Sequence, residues 1–280
     1  MTGRPVPAAF LGARPAEGAK WALFGAPLDA TTSFRPGSRF GPAAIRAASS
    51  GLEDWSPSRG VGLDDQPFCD LGDLDLPPGD VEQSLEDIAA TVAEIDRRGV
   101  RPLMLGGEHL VSWAAVRILA PSHAGLRVLQ LDAHADLRED YMGRRWSHAT
   151  VMRRVAEVVG PSGLYQLGIR SGTREEWEFA RQTNFAPAAS ALPEAWRQEL
   201  ARGPLYVTVD IDFVDPAFAP GTGTPEPGGP TAAELLAVVD GLQGLPIVGA
   251  DVVEVAPAYD PGGITALLGA KVVRQLLLLP

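Results

Sequence analysis

The chain has 280 residues, 45% of them hydrophobic and 21% charged, so it can bury a sizeable core, and one α/β domain over 1–280 is the default expectation. Its formal net charge of −11 argues against nucleic acid as a partner, which needs clustered Lys and Arg, and favours cationic ligands, metals or amines. No apolar run reaches the roughly 18 residues of a membrane span, MTGRPVPAAFLGARP lacks the continuous apolar stretch of a secretory signal, and the one cysteine, Cys69, excludes an internal disulfide or a thiolate zinc cluster; the expectation is a soluble, cytoplasmic protein with no membrane partner.

Short β-like runs alternate with helical patterns from end to end. Residues 20–24 form a candidate strand, and after the turn-rich FRPGSRFGP, Pro42 at a first helical position opens a helix through about residue 48. Residues 81–98 carry the clearest helical pattern, with Leu85, Ile88, Ala89, Val92 and Ile95 on one face and Gly99 as the stop. Strands are expected near 102–105, 126–132, 164–169, 205–212 and 246–255, with helices at about 110–119, 147–159, 174–182, 193–201, 231–242 and 265–278. This alternation implies a mainly parallel sheet covered on both faces, either open or closed into a barrel. In both forms ligands gather beyond the carboxyl ends of the strands. PGTGTPEPGGP (220–230) lacks the G-x-x-x-x-G-K-[ST] pattern of a phosphate cradle and reads as a long loop within the domain.

Four charged clusters fall at strand ends: Gly106-Gly107-Glu108-His109, Asp132-Ala133-His134-Ala135-Asp136, Asp210-Ile211-Asp212, and Asp251 to Glu254. If the chain stays extended there, alternate residues share a face, so Asp132, His134 and Asp136 converge, as do Asp210 and Asp212, and His109 can join from a neighbouring strand end. On that reading Ala133 and Ala135 point away from the ligands. Four aspartates in one cavity repel and raise one another's pKa unless cations balance them. Two divalent ions, ~3.5–4 Å apart in known two-metal hydrolases, supply that charge. Six protein ligands are too many for one catalytic zinc, and a carboxylate-rich set without sulfur suits Mn2+ first, with Fe, Co, Ni or Zn as substitutes. Asp215, before Pro216, and His123, in a loop, read as structural, and Cys69 as a small core residue.

The motifs GGEH, DAHAD, DIDFVDPAFAPGTGTPEPGG and DVVEVAPAYD, in this order, together with FRPGSRFGPAAIR (34–46), resemble the ureohydrolase superfamily of arginases and agmatinases over nearly the whole chain. The resemblance implies a three-layer α/β/α domain with a mainly parallel sheet of about eight strands, assembled as a homotrimer or homohexamer. It implies one Mn2+ held by His109, Asp132, Asp136 and Asp210, and a second held by His134, Asp132, Asp210 and Asp212, with Asp132 and Asp210 bridging. It further implies His148 as the active-site histidine that positions substrate or carries protons, and Glu254 as the carboxylate that binds the substrate guanidinium. Asp251 and Glu108 are expected to hold the ligating histidines from behind.

The implied reaction is hydrolysis of a small cationic guanidino compound to urea and an amine. Where arginases carry an asparagine, two positions beyond Asp136, this chain has Arg138, and LREDYMGRRW (137–146), GGEHLVSW and GIRSG follow the pattern of bacterial agmatinases. Agmatine, a dication, suits an acidic protein and the nearby Glu139 and Asp140. One of Arg138, Arg144 and Arg145 facing the pocket would instead favour a carboxylate such as guanidinobutyrate. Arginase, aminopropylagmatine ureohydrolase, another metallohydrolase and a non-catalytic amine-binding homologue are the remaining alternatives. Having both His148 and Glu254 beside a full ligand set speaks against a mere binder.

Overall fold

The computed structural model describes residues 9–13 and 18–280; the N-terminal stretch read above as lacking a secretory signal lies largely outside them. Eight strands form one all-parallel sheet: β1 (Trp21–Ala26), β2 (Phe68–Asp73), β3 (Arg101–Gly106), β4 (Arg127–Leu131), β5 (Leu164–Leu167), β6 (Asn184–Ala186), β7 (Leu205–Asp210) and β8 (Ile247–Val253). Their order is β2-β1-β3-β8-β7-β4-β5-β6, with β2 and β6 as free edges, so the sheet is open rather than a barrel. After β3 the chain skips two strand positions before laying down β4, and β7 and β8 return to fill the gap.

Alternation along the buried strands builds the two faces. In β1, Trp21 and Leu23 enter one apolar cluster, while Ala22, Phe24 and Ala26 enter the other. On the first face pack α1 (Gly41–Ser49), α6 (Glu194–Leu200), α7 (Ala232–Asp240) and α8 (Ile264–Leu277), through Ile45, Leu200, Leu235 and Val272. On the second pack α2 (Val81–Arg97), α3 (Val111–Ser122), α4 (Val151–Val159) and α5 (Arg174–Ala180), through Ile88, Val116, Val155 and Ala180. The result is the three-layer architecture the motifs implied. Asp80 caps α2 through the Gln83 N–H, and the apolar face expected of that helix is the face it buries.

Two strands escaped the sequence reading. FCDLGD in β2 has no apolar run, being an edge strand with only Phe68 and Gly72 fully covered, and β6 is three half-buried residues. The strands expected at 126–132 and 205–212 also stop earlier, at Leu131 and Asp210. Register sets the site's floor. Leu131 pairs with Val209, Asp210 with Val253, and Leu105 with Val252, so the exits of β4, β7, β8 and β3 lie side by side in the middle of the sheet.

Candidate metal centre

All eight predicted site residues come from those four exits and the turn before α4. The GG pair after β3 permits the approach: a Cβ on Gly107 would lie 1.9 Å from the Leu28 carbonyl oxygen, so only glycine lets the chain pass beneath the β1 exit. There Gly107 N–H donates to Ala26 O at 2.9 Å and Glu108 N–H to Leu28 O at 2.6 Å, which aims His109 inward. His109 Nε2 is taken up by the Thr208 hydroxyl at 2.9 Å. Its Nδ1 therefore faces the carboxylates, with Asp132 Oδ2 at 3.0 Å, Asp136 Oδ2 at 3.2 Å and Asp210 Oδ2 at 3.3 Å.

The DAHAD stretch does converge, but not by extended alternation. β4 ends before it, and Asp136 has φ 54°, in the left-handed region, so the chain turns the third carboxylate back toward the first. Asp132 Oδ1 accepts the His134 N–H at 2.6 Å, and Gln130 Nε2 donates to Asp132 Oδ2 at 2.7 Å. His134 Nδ1 lies 2.9 Å from Asp212 Oδ2. Asp210 and Asp212 are likewise brought together by a turn of 3-10 helix, in which Asp210 Oδ1 accepts the Asp212 N–H at 2.9 Å. Ala133 is buried in the turn, whereas Ala135 lines the cavity wall rather than pointing away from it.

Two donor groups result. His109, Asp132 and Asp136 form one, and Asp132, His134 and Asp212 the other, each with its ligand atoms within 4.8 Å of one another; Asp132 belongs to both. Asp210 joins the first through its contact with His109. Burial, reinforced by Asp212 and Asp136, pushes Asp132 up to about 7, and burial with Asp212 and Asp132 pushes Asp210 well above the carboxylate range. Burial alone would lower both imidazoles, yet the surrounding aspartates hold His109 well above the ordinary value and His134 up to about 11. On Asp212 burial pushes upward, but His134 together with the Ala133 N–H and Asp132 outweighs it and holds the carboxyl low. Gathering so many acids is costly, and divalent cations offset that cost. The fit is also geometric: His109 Nδ1 is buried with no hydrogen-bond partner although three carboxylate oxygens surround it, the arrangement of a nitrogen aimed at a shared metal position.

A cavity of about 310 Å3 opens over this cluster, at the small end of ligand pockets. His109, His134, Asp136, His148, Asp210 and Glu254 line it, while Asp132 and Asp212 lie behind them, in contact with His109 and His134. Glu254 also has a left-handed backbone, φ 63°, and its Oε1 accepts the His109 backbone N–H at 2.8 Å, leaving Oε2 without a donor among the described residues. Burial and the nearby Glu108 raise its pKa well above the usual range. His148 opens the 3-10 turn His148–Thr150, with Nε2 3.4 Å from the Ser33 hydroxyl; burial lowers its pKa.

Three expectations need correction. Glu108 does not hold a ligating histidine: it accepts the Thr31 N–H at 2.8 Å and the Thr31 hydroxyl at 2.9 Å, and Thr31 in turn touches His148. Asp251 is fixed by the Tyr206 hydroxyl at 2.6 Å and makes no hydrogen bond to His109, which is held by Thr208 instead. Glu139 is occupied by Arg153 and Arg154, and neither it nor Asp140 lines the cavity; of the three arginines only Arg138 does. The polar residues missed from sequence were Thr31, Gln130, Gln166 and Thr208. The last three are polar side chains inside otherwise apolar buried strands, and that was the available signal.

Fold and site thus define a carboxylate-rich metal centre at the C-terminal edge of an open parallel sheet. The family model described as "Arginase family" matches residues 19–279, and this chain belongs to that family. It is 44% identical to the agmatinase of Bacillus subtilis, covering 96% of this chain and 95% of that one. It is 34% identical to the guanidinobutyrase of Pseudomonas aeruginosa, covering 91% and 85% respectively. The crystal structure of a putative agmatinase from Clostridium difficile superposes with a TM-score of 0.88 at 37% identity, covering 93% of this chain and 96% of that one. Among the described residues no helix is long and apolar enough to cross a membrane.

Proposed function

We propose that this chain hydrolyses agmatine to putrescine and urea with two Mn2+ ions, one held by His109, Asp132, Asp136 and Asp210, the other by His134, Asp132, Asp210 and Asp212. The observation that carries the reading is Asp132, shared by two His–carboxylate groups beneath a cavity that also holds Glu254. Bound metal lowers the pKa of water enough for attack on a resonance-stabilised guanidinium at neutral pH. Glu254 accepts guanidinium N–H groups through Oε2 and the remaining lone pair of Oε1, which sets the carbon over the centre. As the tetrahedral adduct collapses, the departing amine needs a proton. Asp136 takes the proton given up by the attacking water and delivers it to that amine, and His148, held neutral by burial, exchanges protons between cavity and solvent. The 44% identity to an agmatinase supports the choice of substrate.

Guanidinobutyrate is the second reading, favoured by Arg138 in the cavity wall and by the likeness to a guanidinobutyrase. The motif resemblance and the single cysteine support one cytoplasmic domain in a homotrimer or homohexamer. The test is urea release from agmatine, guanidinobutyrate, aminopropylagmatine and arginine by the Mn2+-loaded protein and its Asp136→Ala variant. Release from agmatine above the rest is expected. No urea from any of them overturns the reading, and an Asp136→Ala variant as active as wild type overturns the proton step.

A further inference from the structure

We infer that Thr31 is a positioning residue for His148: its hydroxyl, itself fixed by Glu108, selects the ring tautomer that carries its proton on Nδ1 and turns an unprotonated Nε2 toward the cavity. The inference rests on the reading of His148 as the proton carrier. Thr31 lies in the loop after β1 and does not line the cavity, so it acts only through the histidine.

The hydrogen bonds leave Thr31 Oγ1 one role toward His148. Glu108 is fully buried; its Oε2 accepts the Thr31 backbone N–H at 2.8 Å and its Oε1 lies 2.9 Å from Thr31 Oγ1. Burial pushes Glu108 up to about 7, and in the ionised form that prevails above that value its carboxylate only accepts, so the hydroxyl proton points at Glu108. The lone pairs of Oγ1 are then directed at His148, whose backbone N–H donates at 3.1 Å and whose Nδ1 lies at 3.3 Å. Were Nδ1 unprotonated, two lone pairs would face each other there; with Nδ1–H both groups are satisfied. The Ser147 hydroxyl, also 3.3 Å from Nδ1, is the competitor, but it is an N-cap that accepts the Ala149 N–H at 3.4 Å, and its own proton is free to turn elsewhere. Nε2, which among the described residues has only the Ser33 hydroxyl near it, at 3.4 Å, is left for the reacting groups, and the Tyr141 ring stands edge-on to the imidazole at 5.6 Å. A proton carrier whose exposed nitrogen begins each turnover unprotonated accepts a proton without first flipping its ring.

The test pairs Thr31→Val, which keeps the backbone N–H but removes the hydroxyl, with Thr31→Ser, which restores it, and with Ser147→Ala. Steady-state urea release is measured on Mn2+-loaded protein. In parallel, ring 15N shifts of His148 are read in the full chain loaded with diamagnetic Zn2+ and assigned among the four histidines with His148→Asn. Wild type is expected to show the Nδ1–H tautomer, unchanged in Thr31→Ser and Ser147→Ala and lost or mixed in Thr31→Val. The kcat of Thr31→Val should fall about tenfold or more, a part of the ~10²–10⁴-fold contribution of a positioned acid or base, with KM held within about twofold, and Thr31→Ser should recover most of it. A wild-type ring protonated on Nε2 overturns the inference, a result that needs no variant to fold. So does a Thr31→Val variant with wild-type kcat and tautomer, or a tautomer that responds to Ser147→Ala instead. Absence of urea from wild type would defeat the functional reading while the 15N result still decides the role of Thr31.

Discussion

The inner and outer halves of the cavity are built differently. The inner half stands on the exits of β3, β4, β7 and β8, the middle of the sheet, and its acids Asp132, Asp136, Asp210, Asp212 and Glu254 are all buried. Two of its three histidines are backed through a threonine hydroxyl, His109 by Thr208 and His148 by Thr31, while His134 meets Asp212. The outer half is loop: Ser33, Arg138, Tyr141 and Gly172, half-buried or exposed, with Arg138 lying over the Tyr141 ring at 4.6 Å. Reaction chemistry needs ligand atoms fixed to within fractions of an ångström and is placed on the stiffest frame, whereas selection of the substrate's far end tolerates loops. Each half therefore answers differently to mutation.

The largest effect is expected at Asp132, the carboxylate shared by both donor groups. Asp132→Asn should lower urea release by about three orders of magnitude, because water must then attack without a fully lowered pKa. It should also reduce bound metal by more than one ion per chain, read by elemental analysis. Loss of one ion with the other intact would break the picture of a shared ligand.

Next in size is the pH response of His148. Burial sets its folded pKa below the ordinary ~6.5, so the neutral ring persists to lower pH than in an exposed histidine. With Mn2+ saturating, kcat should hold as pH falls to about 6.5 and drop only as pH passes through the lowered value; His148→Asn should cost about 10²-fold and remove that limb. The same shift contributes stability that is complete above about 6.5 and lost as pH falls through the folded pKa. An acid limb at or above 6.5 that survives His148→Asn would assign the proton step elsewhere.

The frame itself is tested at Gly107. A methyl group there meets the Leu28 carbonyl, and the strand exits must part to admit it. Gly107→Ala should destabilise by about 1–3 kcal/mol, a fall of roughly 2–10 °C in Tm, with a weakened metal affinity because His109 is two residues on. The added methyl should do more to metal binding than to the relative preference among substrates, which is set in the other half.

The same division governs what the sequence could disclose. The helices and the central strands follow from periodicity, because burial on one or two faces writes itself into apolar spacing: the stripe of Leu85, Ile88, Ala89, Val92 and Ile95 is the buried face of α2. The candidate ligands were legible as charge placed where apolar strands end. Their geometry was not, because Asp136 and Glu254 sit in left-handed backbone at roughly 1–3 kcal/mol of strain each, and no local pattern signals that an aspartate rather than a glycine makes the turn. Long-range partners were equally silent. Thr31 and Glu108 are 77 residues apart, and Thr31 and His148 are 117 apart, so only the folded sheet reveals that they meet. Edge strands such as β2, with one side unpaired, carry too little apolar signal to stand out from a loop.

The smallest effect, and the one that separates the two substrates, is expected at Arg138. Its Nε lies 3.4 Å from Glu176 Oε2, and its side chain is 37% exposed, so the pair is screened by solvent and worth about 0–1 kcal/mol to the fold. Glu176 is itself committed, accepting the Leu137 N–H at 2.9 Å and the Thr173 N–H at 2.8 Å, so it stays in place when Arg138 is removed. For agmatine the distal ammonium approaches a wall from which one positive charge has gone and a carboxylate remains. Arg138→Ala should then lower KM for agmatine about two- to threefold with kcat unchanged, within the ~0.2–1 kcal/mol scale of exposed charge pairs. For guanidinobutyrate the same change removes the group that would bind its carboxylate, and KM should rise by about tenfold, the scale of a lost charge-assisted hydrogen bond. Opposite signs from one substitution, measured on both compounds, show which charge the outer half is built to receive. A rise for both would mean that Arg138 holds the loop's shape, through Tyr141 and Glu176, rather than reading the substrate's charge.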